Sequence, residues 1–276
     1  MKPILTRALT FVFDEESSKV KDNANDIIVK PSEDCFLCKA FKAEKEIREK
    51  VLNTPFLQGM KNGDLDPKYL GILTVLDSYY CYRAKNTLEA TFGKYNPIVF
   101  PELNAVITNR YNGYIKYNTT FKDDWHIKDI DSVIPTNTMR GYADFEENVM
   151  RKCHPIYTLI AYLPCYFLWP WFSRELLNVK YVDDWGLKPE KKISANSNNT
   201  NDSEPEENHN VYESWFRGNY KDEDSFKGAW LIANEVEKWR KNGNFNEGEA
   251  LTIFHTSMNY ELEVFTNAYM PEKSGQ

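Results

Sequence analysis

The chain has 276 residues, 42% apolar and 14% aromatic, with 34 Lys and Arg against 41 Asp and Glu for a formal net charge of −7. So many rings exclude a disordered chain, 12 Gly and 13 Pro exclude a fibrous repeat, and the acidic balance excludes the electrostatic footprint of a nucleic-acid binder. Five cysteines at irregular spacing, Cys35, Cys38, Cys81, Cys153 and Cys165, argue against a disulfide framework and for a reducing compartment.

Residues 1–34 read as a peripheral extension, charged and without sustained period. Their apolar start is broken by Thr6, Arg7 and Thr10, and no small-residue cleavage site precedes Asp14 and Glu15, so no signal peptide is expected. Residues 35–52 suit a helix with apolar positions at 37, 41, 47 and 51. FLQGMKNGDL (56–65) is interrupted by Gly59 and Gly63, and Asp66-Pro67 then opens a helix running to Phe92. Its stripe is Tyr69, Leu73, Leu76, Tyr80, Ala84, Leu88 and Phe92. Helices are expected at 101–121 and 139–152, separated by a polar connection.

Residues 155–172, PIYTLIAYLPCYFLWPWF, carry no charge over 18 positions, the lower edge of a membrane-spanning length. Pro164 and Pro170 free backbone acceptors that lipid cannot satisfy. The expectation is instead a central helix, enclosed by others and continuing to about Val179. Residues 187–210 are polar and ringless and read as a flexible insert. Two last helices follow at 211–241 and 246–269, the second apolar at 251, 254, 258, 262, 265 and 269. Strand alternation is scarce, and the Asn-Gly pairs lack strand flanks. The chain therefore reads as a single all-α, multihelical domain of about eight helices.

Three polar groups interrupt these apolar faces. Asp77 lies between Leu73 and Tyr80 on one helix, and Glu261 between Met258 and Phe265 on the last. Burial raises a carboxyl pKa and suits it to general acid work near neutrality; the plainer reading is a helix-edge acid bridged to Lys, Arg or Tyr. Cys165 follows Pro164 in the uncharged helix. A buried cysteine is usually an inert small hydrophobe, and becomes a nucleophile where a partner stabilises its thiolate. Cys35-x-x-Cys38 lacks a second cysteine pair, the four histidines show no metal spacing, and GxGxxG, P-loop and GxSxG motifs are absent.

The blocks FLQGMKNGDL (56–65), TVLDSYYCYRAK (74–85), YLPCYFLWPWFSRELL (162–177) and YELEVFTNAY (260–269) resemble, in order and approximate spacing, the TenA family, also called thiaminase II. The resemblance covers residues 55–269 and implies a haem-oxygenase-like bundle without haem, cytoplasmic and usually a homotetramer. It implies an aminopyrimidine aminohydrolase, converting 4-amino-5-aminomethyl-2-methylpyrimidine to the hydroxymethyl compound, with cleavage of thiamine in many members. Small-molecule pyrimidine or thiamine is the implied partner, a homo-oligomer (tetramer or dimer) the implied assembly, with no metal, organic cofactor, nucleic acid or membrane.

Residue by residue, the resemblance makes Cys165 the nucleophile, Glu261 the acid/base and Asp77 the partner of the aminopyrimidine. It places Tyr80, Tyr142 and Tyr220 in the pocket, the last across a one-residue insertion. This chain has Trp169 where the family commonly has Tyr, which keeps a ring and a donor and loses an accepting hydroxyl. It also carries extra material at the N-terminus, in 95–138 and in 187–210. The alternatives are a related protein with a changed substrate, a non-catalytic pyrimidine or thiamine binder, and a haem or di-iron enzyme, which the missing His and Glu-x-x-His patterns disfavour.

Overall fold

A computed structural model of the chain describes residues 28–179, 210–243 and 245–269. Among them ten α-helices follow one another with short 3-10 turns between, and no β-strand occurs. The expected helix at 35–52 is two, α1 (Phe36–Ala43) and α2 (Lys45–Leu52), broken at Glu44. The two halves serve different neighbours: α1 buries Phe36, Leu37 and Phe41 towards α9 (Lys227–Lys241) and α10 (Glu247–Tyr269), and α2 buries Ile47 and Val51 towards α3 (Pro55–Asn62) and α10.

The glycine-interrupted stretch is itself a helix, α3 (Pro55–Asn62). Thr54 caps it by accepting from the Leu57 N–H, and Pro55 fits its first turn. Gly63 ends it in the left-handed region at φ 77°, where a side chain would be strained. The Asn210 side chain donates to the last carbonyls, Met60 O at 2.9 Å and Lys61 O at 2.8 Å.

Helices α4 (Pro67–Thr91), α5 (Pro101–Asp123) and α6 (Asn137–Lys152) match the expected spans closely. The expected helix at 211–241 is divided into α8 (Glu213–Asn219) and α9 (Lys227–Lys241). Tyr220 between them is extended at φ −138°, ψ 111°, and a 3-10 turn at Glu223–Phe226 follows, started by Asp222 accepting from Asp224 N–H.

At the centre lies α7 (Pro155–Leu176), which contains the uncharged run 155–172 and in which every residue except Glu175 is buried. It packs against α6, α8, α9 and α10, and Phe41 of α1 closes on Phe167 and Trp171 at ring distances of 4.5 and 5.5 Å. Among the described residues no helix is long and apolar enough to cross a membrane.

Helix α10 (Glu247–Tyr269) buries Ala250, Ile253, Phe254, Ser257, Met258, Glu261, Val264, Phe265 and Ala268. That face is rotated from the apolar count, leaving Leu251 exposed and Leu262 at the edge, and it places Glu261 squarely inward. Residues 1–27 of the expected extension and 187–209 of the expected insert lie outside the described residues. Residues 28–34 dock on α9, with Val29 O accepting from Asn234 Nδ2 at 2.7 Å and Asp34 O accepting from Arg240 Nη2 at 3.2 Å. The Cys35 thiol caps α1, accepting from Cys38 N–H at 3.1 Å, so this pair is engaged in local helix structure.

Candidate active site

Three helices direct their polar exceptions into one region. Asp77 comes from α4, Cys165 from α7 and Glu261 from α10, with exposures of 5%, 2% and 3%. The long sequence separation of these groups is closed by packing of α4 and α7 against α10. Burial above all, and after it the carboxyls of Glu261, Asp77 and Glu146, push the Cys165 thiol well above its ordinary value. The free protein thus holds this cysteine as a neutral thiol.

Each carboxyl is paired with a phenol. Tyr142 on α6 donates to Glu261 Oε1 at 3.0 Å, and Tyr117 on α5 donates to Asp77 Oδ2 at 3.2 Å. The Cys81 thiol, one turn after Asp77, also donates to it, at 3.7 Å. Burial pushes Asp77 up to about 7 and Glu261 up to about 8; Tyr117 and Cys81 resist the first shift, and Tyr142 and Trp169 the second. Trp169 has one polar hydrogen, so its indole N–H is the donor to Glu261. Among the described residues, no Lys or Arg acts on either carboxyl; of the bridges the plainer reading allowed, each acid has the Tyr one, and both acids are buried rather than at a helix edge.

Rings line the same region. Tyr80 and Tyr142 approach at 5.0 Å, and Tyr260 stacks on Tyr142 at 5.3 Å and 8°. Gly141 leaves room for that stack, since a Cβ there would lie a tight 3.3 Å from the Tyr260 ring. Trp169 packs on Trp215 and Phe265 at 5.4 and 5.5 Å. The structure therefore brings Asp77, Tyr80, Tyr142, Cys165, Trp169 and Glu261 together. The Tyr220 ring meets Phe226 at 6.1 Å, and Phe226 meets Phe167, two positions after Cys165, at 5.0 Å.

Sequence reasoning missed a third buried acid, Glu146 on α6, 1% exposed. Tyr80 donates to its Oε1 at 2.7 Å. Met139, Tyr142, Ala143, Val149 and Met150 form the buried face of α6, and Glu146 occupies the open slot in that period. Tyr117 was equally legible, between Tyr114 and Phe121 on the inner face of α5.

Two histidines have other partners: His154 caps α7 and His255 meets Glu44. Among the described residues no group of three or more His, Cys, Asp or Glu is placed to hold a metal ion. The chemistry available is that of a thiol nucleophile, carboxyl acids and bases near neutral pKa, and aromatic walls for a flat ligand.

No protein-family model matches the sequence, and no curated protein does either. Solved structures do. A TenA homologue protein from P. horikoshii OT3 superposes with a TM-score of 0.63 at 16% identity, over 85% of this chain and 98% of that one. A TenA family transcription regulator from Silicibacter sp. gives 0.65 at 11% identity, over 86% and 97%. A provisional TenA-like thiaminase from Sulfolobus solfataricus P2 gives 0.57 at 13%, over 83% and 93%. The chain has the all-helical TenA fold.

Proposed function

We propose that this chain is an aminopyrimidine aminohydrolase of the thiaminase II type, acting on 4-amino-5-aminomethyl-2-methylpyrimidine and, as a second substrate, thiamine. The observation that carries this reading is the convergence of one buried thiol and two buried, phenol-bonded carboxyls from three separate helices. Asp77 and Glu261, on which no cation acts, favour a ligand that brings hydrogen-bond donors, as the amino groups of an aminomethyl pyrimidine do.

In this reading Cys165 adds as thiolate to the pyrimidine carbon beside a ring nitrogen. Asp77 binds the amidine-like edge of the ring and stabilises the charge redistributed into it. Glu261, held protonated by its burial, gives its proton to the amine departing from the exocyclic methylene. Water then adds to the methylene, Glu261 recovers a proton from it, the thiolate is expelled and ammonia has been exchanged for hydroxide. Tyr80 and Tyr142 orient the thiol and the acid, and Trp169 forms a wall and donates to Glu261. Tyr220 is proposed as a pocket residue from the resemblance alone. A cytoplasmic homo-oligomer, dimer or tetramer, is the assembly this reading carries, and light scattering of the purified chain checks it.

Incubation of the purified protein with the aminomethyl pyrimidine is expected to release ammonia. The Cys165→Ala variant should melt within a few degrees of wild type and lose at least about a thousandfold in turnover. Full hydrolysis by Cys165→Ala would overturn the mechanism. Tight binding of the pyrimidine by wild type without ammonia release would identify a binding protein instead.

A further inference from the structure

Helix α1 opens on one cysteine and carries a second three positions on. Cys35 is its N-cap residue, and the Cys35 sulfur accepts from Cys38 N–H at 3.1 Å. The Cys35 carbonyl accepts from Lys39 N–H at 3.0 Å, so the turn between the two thiols is helical. Helix geometry sets Cα atoms three residues apart at about 5 Å, within the roughly 4.4–6.8 Å that a disulfide spans. Closing an S–S bond here asks for side-chain rotation rather than backbone movement.

The turn is held from α9. Glu237 Oε1 accepts from Phe36 N–H at 2.5 Å, and Arg240 Nη2 donates to Asp34 O at 3.2 Å. The Cys38 sulfur lies 3.3 Å from Ser32 O, so both sulfurs sit against the stretch where the chain enters the helix. Cys35 is 0% and Cys38 4% exposed, yet Ser32, Glu33 and Asp34, which run past them, are exposed, and the pair lies just beneath the surface.

Of the chain's five thiols, Cys35 alone is held below its ordinary value; Cys38, Cys81, Cys153 and Cys165 are held above theirs. Cys38, first by its thiol and then by its N–H, favours the Cys35 thiolate, helped by Arg240 and opposed by burial and Glu237. An N-cap thiol biased towards thiolate, beside a second thiol that keeps its proton, divides the work of an attacking and a resolving sulfur. Two sulfurs are half of a tetrahedral thiolate metal set, and among the described residues no further ligand completes one.

We propose that Cys35 and Cys38 are a reversible, peroxide-reactive dithiol, with Cys35 the attacking sulfur and Cys38 the resolving one. The Cys35 thiolate attacks one oxygen of hydrogen peroxide: the S–O bond forms, the O–O bond breaks, and hydroxide leaves and takes up the proton that Cys35 gave. Cys38 then attacks the resulting sulfenic sulfur, the S–S bond forms, and the hydroxyl leaves with the Cys38 proton as water. The two sulfurs lose two electrons, the peroxide gains them, and a dithiol reductant reverses the change. The site is separate from the one assigned to pyrimidine chemistry and does not depend on that assignment.

The test is peroxide treatment of the full chain followed by alkylation under denaturing conditions and mass spectrometry. Both cysteines fall in one tryptic peptide, because Lys30 precedes Pro31. In wild type that peptide should emerge unalkylated and two hydrogens lighter, and dithiothreitol should restore both thiols. Its oxidation should outpace that of the more exposed Cys153 by at least about tenfold. Cys38→Ser should stop at a sulfenic acid on Cys35 that dimedone traps. Cys35→Ser, which keeps a hydroxyl cap on α1, should leave Cys38 reduced. A wild-type pair still reduced when Cys153 is oxidised overturns the proposal, as does a Cys38 that oxidises at an undiminished rate in Cys35→Ser. Where a variant melts far below wild type, the wild-type comparison with Cys153 decides alone. No pyrimidine enters the assay, so its failure leaves the hydrolase reading untouched, and absence of ammonia release leaves the dithiol untouched.

Discussion

Trp169 stands where the sequence resemblance leads one to expect tyrosine, and its indole shows what the exchange preserves. The N–H donates to Glu261 and so resists the upward pull of burial on that carboxyl. Trp169→Phe deletes the donor and keeps a ring. The alkaline limb of kcat/KM, set by loss of the Glu261 proton, should then move to higher pH by up to about one unit. Trp169→Tyr, which restores an O–H donor, should bring the limb back; a limb unmoved in Trp169→Phe would show that the indole does not tune this acid. At this scale the sequence is legible where a charged or thiol residue interrupts a clear helical period, as Asp77, Cys165 and Glu261 do. Glu146 obeys the same rule and was obscured by its neighbour: Glu147 points outward to Arg83 and Arg151 while Glu146 points in, and the pair reads together as a solvated acidic run.

At the scale of elements, long helices could be read from their period and short ones could not. Helix α4 is 25 residues with Asp66 capping and Pro67 opening it, so pattern and boundary signals agree. Helix α3 is 8 residues containing Gly59 and ending at Gly63, and no window that short carries a reliable period. What holds α3 is partly remote in sequence: Asn210 satisfies two of its final carbonyls and accepts from Tyr212 N–H at 2.9 Å. Asn210→Ala should therefore cost about 1–2 kcal/mol in a urea or thermal melt. Loss below about 0.3 kcal/mol would mean that water replaces the amide without penalty. The divisions at Glu44 and Tyr220 were hidden for a related reason, since they follow from which neighbours each half must meet.

For the whole molecule, a cluster of buried acids makes stability depend on pH. The folded chain holds Asp77 at about 7 and Glu261 at about 8, against ordinary values of 3.8 and 4.5. Between those limits the folded state keeps protons that the unfolded chain has released, so unfolding releases protons and stability falls as pH rises. The stabilisation is fully present below about 4 and has been lost once pH passes about 8. A melt at pH 8.5 should thus be weaker than one at pH 5.5, by on the order of a few kcal/mol. The Asp77→Asn, Glu261→Gln double variant should flatten the profile, and an equally steep profile in that variant would place the linkage elsewhere. The central helix α7 carries a separate consequence for how the protein is made. It leaves the ribosome ahead of α8, α9 and α10, which complete its covering. Until those later segments emerge, a string of tyrosine, leucine and tryptophan side chains has only the earlier helices to shelter it, and the nascent chain is at its most adhesive in the interval before α10 docks.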